Sequence, residues 1–355
     1  MSKEIIILTI SMGNDGAERV LSELSSQWVS QGNKVSIIQT HPESYGVKYS
    51  LSDEVEIINL HTTSNIKPIR YIQEIYQIVK VLNTRPKATV ISFIVAPIFI
   101  SAVASFFVKN RIVVSERNNP KECPSGKLQQ KLRDWAFTRA DVCVFQTEDA
   151  MKMFPKKAQK KGIIIPNPIN GNLPKPFDGN RRKAIVAACR LHPQKNLKML
   201  INSFAMLHED YPEYTLEIYG QGSERETLEC QIKALKLEQS VLLLGFEPDI
   251  HKKMIDATMY VSSSNYEGIS NSMLEALGMG IPTIVTDCPV GGARMVINNG
   301  LNGVLVPVGD TNAFYLAMKK IIEDKEFTRS ISKEAVKILK VYPIEKISKK
   351  WMEVI

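Results

Sequence analysis

Two glutamates in the stretch Ser262–Pro282 (SSSNYEGISNSMLEALGMGIP) have the chemistry of a ligand-binding pair. Glu267 lies in a polar loop that follows an apolar strand, and Glu275 lies in the short helix that comes next. Ligands of parallel α/β sheets bind where strands end, and the free N–H groups of a helix N-terminus attract anions. Two structural alternatives remain. Ser272 and Glu275 have the S-x-x-E spacing of a capping box, and Glu267 has the setting of a solvated loop acid.

Two cations occupy a similar position in the segment CRLHPQKN. Arg190 follows the predicted strand Ala184–Ala188, and Lys195 opens the next predicted helix. A guanidinium binds phosphate oxygens through its planar fork and an ammonium acts as a point charge, so the pair is typical of a diphosphate clamp. The alternatives are a basic patch on the surface and a cap at the C-terminal end of the strand.

Two glycine-containing loops could bring backbone close to an anion, although each is a weak signal alone. Gly13 and Gly16 lie between the first strand and the first helix, without the third glycine of a dinucleotide fingerprint. Gly220 and Gly222 follow a strand in the same way.

Short apolar runs alternate with helical patterns along the whole chain, which predicts parallel sheets covered by helices on both faces. The predicted strands are Glu4–Ile10, Lys34–Gln39, Val55–Leu60, Thr89–Phe93, Arg111–Ser115, Asp141–Phe145, Ile163–Ile165, Ala184–Ala188, Thr215–Tyr219, Val241–Leu244, Met259–Ser263, Pro282–Thr286 and Gly303–Val306. The predicted helices include Gly16–Ser30, Ile69–Leu82, Lys127–Arg139, Asn196–Leu207, Glu224–Leu235 and Asp310–Ile322. The fold class is therefore α/β, with enough strands for two sheets.

A boundary between two domains is indicated by the segment IIIPNPINGNLPKPFDGNRRK, where prolines and glycines are too dense to continue an element. A chain of 355 residues is also long for one core. We expect a first domain over residues 1–166 and a second that begins at residue 167.

The segment Val90–Val108 holds no charged residue and approaches the length of a membrane span. The favoured interpretation divides it at Pro97 into a strand, a turn and a buried helix over Ile98–Phe107, since strand–helix alternation continues on both sides. A membrane span is the alternative.

Composition excludes several classes of protein. The five cysteines are scattered without a paired spacing, which argues against a disulfide framework or a zinc site. Residues 1–166 hold 22 basic against 15 acidic residues, whereas residues 167–355 hold 23 against 22, so the net charge of +8 lies mainly in the first half. Aromatic residues do not alternate with basic ones in the manner of a nucleic-acid-binding surface, so we expect no nucleic acid partner.

Together, the segments GAERV, SERNNP, PNPI, RLHPQKN, YGQGSE and GLNGVLVP and the E-x7-E spacing of Glu267 and Glu275 resemble a family 4 glycosyltransferase. Members of this kind build bacterial capsule, lipopolysaccharide or lipid-linked oligosaccharide. The resemblance implies a GT-B architecture, with two facing Rossmann-like domains and mostly parallel sheets. It also implies that the last helix crosses back to the first domain, giving domains of 1–166 with about 343–355, and 167–342.

The resemblance implies a role for each candidate residue. Arg190 and Lys195 would hold the donor's diphosphate, and Glu267 would act with them at the donor sugar. Glu275 would bind the ribose hydroxyls. The remaining donor contacts implied are the backbone of Gly268, Ile269 and Ser270, the backbone of Gly16 in the first domain, and Phe246 at the base. A histidine common in the family is absent from the segment VSERNNP, so Glu116 and Arg117 are the candidates on the acceptor and sugar side.

The implied function is transfer of a hexose or N-acetylhexosamine, with retention, from a nucleotide-diphosphate donor to a glycan or polyprenyl-diphosphate-linked acceptor. UDP donors are favoured and GDP-mannose stays open. No D-x-D occurs, so we expect no metal and no other cofactor. A catalytically silent GT-B accessory protein that binds a partner glycosyltransferase is the alternative.

We expect the protein to be cytoplasmic and peripheral on the cytoplasmic face of the membrane, because the basic first domain would be attracted to anionic lipid. The run MKMFPKKAQKKG sharpens this hypothesis, with five lysines beside Met153 and Phe154 and no acidic residue nearby. Met153 or Phe154 would insert at the interface. The alternative is a solvated helix end followed by a loop.

Overall fold

The computed structural model describes residues 2–13, 16–41 and 51–355. The chain divides into two compact units. The first comprises the residues up to Pro168 together with Pro343–Ile355, and the second is Ile169–Tyr342.

The described part of the first unit contains a parallel sheet, with strand order β3-β2-β1-β4-β5-β6-β7. Its strands are β1 (Glu4–Thr9), β2 (Lys34–Gln39), β3 (Glu56–Asn59), β4 (Thr89–Ser92), β5 (Arg111–Glu116), β6 (Val142–Phe145) and β7 (Gly162–Ile164). Its helices are α1 (Gly16–Ser30), α2 (Lys67–Thr84), α3 (Val95–Ala104), α4 (Lys127–Arg139), α5 (Glu148–Lys152) and α6 (Lys156–Gln159), with α14 (Ile344–Val354) from the end of the chain. The inner strands, such as β1 and β4, carry consecutive buried residues because helices cover the sheet on both faces.

The helix α14 packs in the first unit although it follows the second unit in sequence. The Trp351 ring meets the Trp28 ring edge-on at 6.3 Å and stacks on Phe93 at 5.3 Å. Lys3 Nζ and Arg111 Nε donate hydrogen bonds to the carbonyls of Met352 and Val354 at 2.7 and 2.9 Å. A buried aromatic cluster and backbone contacts therefore hold the end of the chain here.

The apolar segment Val90–Val108 forms the strand β4 and the helix α3, which confirms the strand–helix interpretation. The helix begins at Val95 rather than after Pro97, because proline is tolerated in the first turn, where its missing N–H has no helical partner. Within the described residues, the model contains no helix of the length and apolar character needed to cross a membrane.

The second unit contains another parallel sheet, with strand order β10-β9-β8-β11-β12-β13. Its strands are β8 (Arg182–Ala188), β9 (Thr215–Tyr219), β10 (Val241–Gly245), β11 (Ala257–Ser262), β12 (Thr283–Thr286) and β13 (Val304–Val306). Its helices are α7 (Leu197–Asp210), α8 (Arg225–Ala234), α9 (Ile250–Met254), α10 (Asn271–Gly278), α11 (Gly292–Val296), α12 (Thr311–Glu323) and α13 (Lys325–Ala335). The strand order reverses between β8 and β11, and ligands of open α/β sheets bind at such a reversal.

Each predicted strand is confirmed with ends within two residues, and each listed helix within three. The predicted α/β class with parallel sheets is likewise confirmed. Alternating apolar runs and amphipathic helices made this part of the fold readable from the sequence.

Candidate active site

The loop after β11 is held by the start of the helix α10. Ser270 caps this helix by accepting a hydrogen bond from the Met273 N–H at 3.4 Å, and the helix begins at Asn271. The capping box of Ser272 and Glu275 is therefore wrong. Ser272 Oγ instead lies 2.8 Å from the buried Tyr260 Oη, so its hydroxyl belongs to a side-chain network.

The end of this helix agrees with the sequence. Gly280 has a positive φ of 66°, which an L side chain disfavours. The N–H groups of Gly280 and Ile281 donate to the carbonyls of Leu277 and Ala276 at 3.0 and 2.9 Å, the hydrogen bonds of a Schellman motif. The predicted C-terminal cap at Gly280 is confirmed.

Glu275 is buried in the helix α10 and meets a histidine that the sequence did not identify. Its Oε2 lies 3.0 Å from His251 Nε2, which belongs to the helix α9. The two residues are 24 positions apart, and no local pattern links them. His251 is therefore in a position to orient the Glu275 carboxylate.

Glu267 forms an ion pair with Lys195, between Oε2 and Nζ. The side chains keep 21% and 13% of their exposure, so the pair is partly open to solvent. Burial works against the charge on Lys195, but attraction and hydrogen bonding to Glu267 outweigh it, and the pKa of Lys195 is raised. The backbone of Glu267 is fixed separately, because its N–H donates to the Pro289 carbonyl at 2.7 Å and its carbonyl accepts from the Val290 N–H at 3.1 Å.

Lys195 stands in a loop that is joined to the loop of Glu267. It ends a 3-10 helix (Pro193–Lys195), and the left-handed Asn196 connects this turn to α7. The Lys195 carbonyl accepts a hydrogen bond from Ser263 Oγ at 2.7 Å, and Gln194 Nε2 donates to the Tyr266 carbonyl at 2.9 Å. The loops that follow β8 and β11 therefore position Lys195 and Glu267 as one unit.

His192, which the sequence treats as spacing, has a structural role in this loop. Its Nδ1 accepts a hydrogen bond from the Gln194 N–H at 3.2 Å and so caps the 3-10 helix.

Arg190 lies between β8 and the Lys195 turn, on an exposed stretch of chain. Its segment packs against the glycine loop after β9. A Cβ on Gly220 would lie 1.8 Å from the Cys189 carbonyl oxygen, and a Cβ on Gly222 would lie 2.2 Å from that of Leu191. The glycines in YGQGSE therefore permit a close approach of two backbones that carries Arg190.

The backbone of Gly268, Ile269 and Ser270 is also closely packed. A Cβ on Gly292 would lie 1.9 Å from the Gly268 carbonyl oxygen, so the start of α11 supports this loop. A small pocket opens beside it, lined in part by Glu267, Gly268 and Ser270. Phe246, the candidate for the base, follows β10 and is 53% exposed.

In the first unit, Gly16 begins the helix α1, where the sequence placed it. Glu116 ends β5 and is buried; its Oε1 accepts from the N–H groups of Arg117 and Asn118 at 2.9 and 3.0 Å. Burial raises the pKa of Glu116 to about 7.

The Arg117 guanidinium packs inside the first unit. It lies 4.4 Å above the Phe93 ring and 5.4 Å above the Trp351 ring, and its Nη1 donates to Asn167 Oδ1 at 3.1 Å. Burial lowers the pKa of Arg117. These contacts hold the helix α14 against the sheet.

The lysine run MKMFPKKAQKKG differs in two ways from the membrane-binding segment that the sequence predicted. Phe154 is buried against Phe137 at a ring distance of 4.3 Å and is not available for insertion. Lys152 Nζ lies 3.7 Å from both Glu148 Oε2 and Asp149 Oδ1, so acidic residues are close to the run. Insertion of Phe154 is therefore wrong, because its ring fills the core, and so is the expected lack of acidic residues. Insertion of Met153, the other candidate, stays a prediction.

Among the described residues, no group of three or more His, Cys, Asp and Glu side chains has an arrangement that could hold a metal ion.

Comparison with known proteins finds a family model that matches part of the chain and a solved structure that shares its fold. Residues 174–338 match the model of the family Glycosyl transferases group 1. An exopolysaccharide phosphotransferase of Streptomyces coelicolor is 28% identical over 73% of this chain, and this chain covers 27% of its length. The N-acetylgalactosamine-N,N'-diacetylbacillosaminyl-diphospho-undecaprenol 4-alpha-N-acetylgalactosaminyltransferase of Campylobacter jejuni is 28% identical over 72% of this chain and 73% of its own.

A solved structure shares the fold across nearly the whole chain. Anabaena HepE in complex with UDP and glucose is 19% identical, with a TM-score of 0.86 over 99% of this chain and 98% of its own.

Proposed function

We propose that the chain transfers a hexose or N-acetylhexosamine from a UDP-linked donor. It carries a group 1 glycosyltransferase domain and has the GT-B fold that the sequence predicted. The acceptor we propose is a glycan or a polyprenyl-diphosphate-linked saccharide in surface polysaccharide synthesis. Two names support these choices. HepE was solved with UDP and glucose, and the Campylobacter relative is named for a diphospho-undecaprenol acceptor.

The observation that carries the proposal is the Lys195–Glu267 pair, which joins the ends of β8 and β11 where the strand order reverses. Negative charge builds on the leaving diphosphate as the bond to the sugar breaks, so fixed cations aimed at it lower the barrier. Lys195 and Arg190 supply that charge in the proposal. Glu267 keeps Lys195 protonated and in place and faces the donor sugar.

The proposed reaction retains the anomeric configuration. The bond between the anomeric carbon and the leaving diphosphate oxygen breaks, and a bond from the acceptor oxygen forms on the same face. The acceptor proton passes to the leaving phosphate oxygen, so no protein base and no metal is required. Lys195 and Arg190 stabilise the charge that remains on the diphosphate.

The other donor contacts follow from the same arrangement. Glu275 binds the ribose hydroxyls, and His251 orients its carboxylate. The N–H groups of the loop that contains Gly268, Ile269 and Ser270 would bind oxygens of the sugar or the phosphate. Phe246 would stack on the base, and the backbone of Gly16 would approach the donor from the first domain. For Arg117 we propose support of α14 rather than a place at the acceptor, because its guanidinium lies over Trp351. For Glu116 we propose support of the backbone of Arg117 and Asn118.

The catalytically silent alternative is not proposed, because the clamp residues of the second unit are intact and Lys195 and Glu267 meet. We retain a peripheral location on the cytoplasmic face of the membrane as part of the proposal, since a polyprenyl-linked acceptor lies in the bilayer.

The proposal is tested by thermal unfolding with a panel of UDP, UDP-glucose, UDP-N-acetylglucosamine, UDP-galactose and GDP-mannose, each with and without a chelator. A ligand that binds only the folded protein raises its melting temperature. We expect a UDP compound to do so irrespective of the chelator, and Lys195→Ala to reduce the shift. A panel without any shift would contradict the donor assignment, and a shift lost on chelation would contradict metal independence.

A further inference from the structure

The helix α2 exposes apolar side chains on the side that faces away from its sheet. Ile66, Ile69, Ile72 and Tyr76 are 61%, 45%, 67% and 70% exposed, and the last three follow a helical stripe. The opposite side of the same helix is already buried through Ile78 and other residues. A single exposed apolar side chain is ordinary, but an aligned set marks an interaction surface.

Exposed apolar side chains also occur after α3, which contacts α2, and on α4, which contacts α3. Phe106 and Phe107, just after α3, are 59% and 64% exposed, and Leu128 and Leu132 of α4 are 70% and 41% exposed. The Trp135 ring of α4 stacks on Phe106 at 6.4 Å, which joins α3 to α4. We call the outer helix face the set Ile66, Ile69, Ile72, Tyr76, Phe106, Phe107, Leu128 and Leu132.

These helices lie on one side of the first sheet. The chain passes in one direction along the strand order, from β3 through β4 and β5 to β6, and α2, α3 and α4 are the crossovers. Parallel crossovers are right-handed, so crossovers made in the same direction cover the same side. The crossover α1, from β1 to β2, runs in the opposite direction and packs on α14 instead.

The charge around the outer helix face is one-sided. The exposed basic residues on or beside the three helices are Lys67, Lys80, Lys109, Lys127, Lys131 and Arg139. On or beside the same helices the acidic residues are Glu74, Glu122, Asp134 and Asp141, of which Glu122 and Asp141 are exposed. Glu74 is fully buried, and Asp134 is paired with Arg133 at 2.7 Å. Exposed apolar side chains beside six exposed cations and only two exposed acids match an anionic lipid surface.

We propose that the outer helix face is the surface by which the protein docks on an anionic membrane, with Ile69, Ile72, Tyr76, Phe106 and Phe107 in the interfacial layer. We prefer this face to the lysine run near residue 156, because Phe154 of that run is buried. This inference rests on the proposed membrane location and on none of the donor chemistry. It places the first unit on the bilayer through the helices that follow β3, β4 and β5.

The test is co-sedimentation with vesicles of phosphatidylcholine and phosphatidylglycerol, and with vesicles of phosphatidylcholine alone. The first variant is Ile69→Ser/Ile72→Ser/Tyr76→Ser, whose residues are exposed, so folding is expected to persist. The second is Lys67→Gln/Lys127→Gln/Lys131→Gln. The matched control is Leu301→Ser/Leu316→Ser in the second unit, whose residues are 48% and 51% exposed.

We expect wild type and control to bind anionic vesicles alike, and the serine variant to bind roughly tenfold more weakly. The lysine variant should lose binding mainly at low salt, since salt screens its contribution. Binding of the serine variant equal to wild type would overturn the proposal, as would wild type that ignores both vesicles.

A dimeric wild type whose serine variant is monomeric, with vesicles bound by neither, would assign the face to a second copy of the chain and overturn the lipid assignment. UDP-induced thermal shifts are measured on the same samples. A normal shift in the serine variant shows that it is folded. It also separates failure of this inference from failure of the donor assignment.

Discussion

Each unit has an acidic and a basic residue at or after the ends of parallel strands, but the two pairs differ in their partners and their exposure. Lys195 and Glu267 face each other across neighbouring loops and stay partly exposed. Glu116 and Arg117 are adjacent in sequence, and each takes other partners: Glu116 accepts backbone N–H groups, and Arg117 lies over Phe93 and Trp351.

The difference lies in what covers the strand ends. In the second unit the loops after β8 and β11 carry glycines and polar side chains that leave the charges open to a ligand. In the first unit, Trp351 of α14 lies over the Arg117 guanidinium. Glu116 is buried as well, and burial raises its pKa to about 7. The same position in a parallel sheet is therefore open in one unit, where we propose that a ligand binds, and packed in the other.

The largest expected effect is a loss of turnover when either cation of the proposed diphosphate clamp, Lys195 or Arg190, is removed. Lys195→Ala and Arg190→Ala should each raise the barrier to transfer by about 2–4 kcal/mol, the scale of losing one preorganised charge partner. Turnover with the UDP-sugar identified by thermal shift is the measurement. The control is Lys198→Ala. Lys198 lies in α7, with its Nζ 3.9 Å from Glu224 Oε2, and its removal should leave turnover near that of wild type. A loss below about tenfold in both clamp variants would contradict the assignment.

The next effect concerns the covered pair and pH. The native pKa of Glu116 is raised from 4.5 to about 7, so between these values the folded state holds a proton that the unfolded state has lost. Folding is favoured by this group below pH 4.5, and its contribution declines by about 3 kcal/mol as pH rises to 7. Denaturant unfolding across this range, for wild type against Glu116→Gln, isolates the effect. Parallel stability curves for the two proteins would show that Glu116 does not titrate in this window.

A smaller effect is expected for Arg117. Replacing it by alanine removes the ring contacts and the Asn167 hydrogen bond, at a cost of about 2 kcal/mol in unfolding free energy. The loss is limited, because Nε and Nη2 are buried without a hydrogen-bond partner among the described residues. Tryptophan fluorescence would report release of Trp351, and UDP affinity should not change. Lost UDP affinity with intact stability would return Arg117 to the ligand.

Local features of the molecule could be predicted from the sequence, whereas contacts between distant residues could not. Elements and the clamp candidates were readable, because apolar periodicity and motif spacing are local. The contact of His251 with Glu275 was not, since it spans 24 residues and depends on how α9 packs. Ser270, and not Ser272, caps α10. The two serines lie two positions apart, and the S-x-x-E spacing of Ser272 and Glu275 favoured the wrong one. Phe154 was misplaced because a core aromatic stands inside a polar run.

The smallest effect separates binding from support within the open site. Glu275→Gln keeps the size of the side chain and removes its charge, so the affinity for UDP should fall by about 1 kcal/mol, the net contribution of a typical hydrogen bond. Stability should change little, because Ser270 caps the helix and Glu275 does not. His251→Gln keeps a donor near Glu275 Oε2 and should cost less affinity than His251→Ala, which leaves the buried carboxylate without this partner. Calorimetric titration with UDP orders the three variants, and a parallel titration with inorganic diphosphate, which has no ribose, is the control. Equal losses for UDP and diphosphate would place Glu275 at the phosphates. Unchanged UDP binding in all three would remove Glu275 from the ligand altogether.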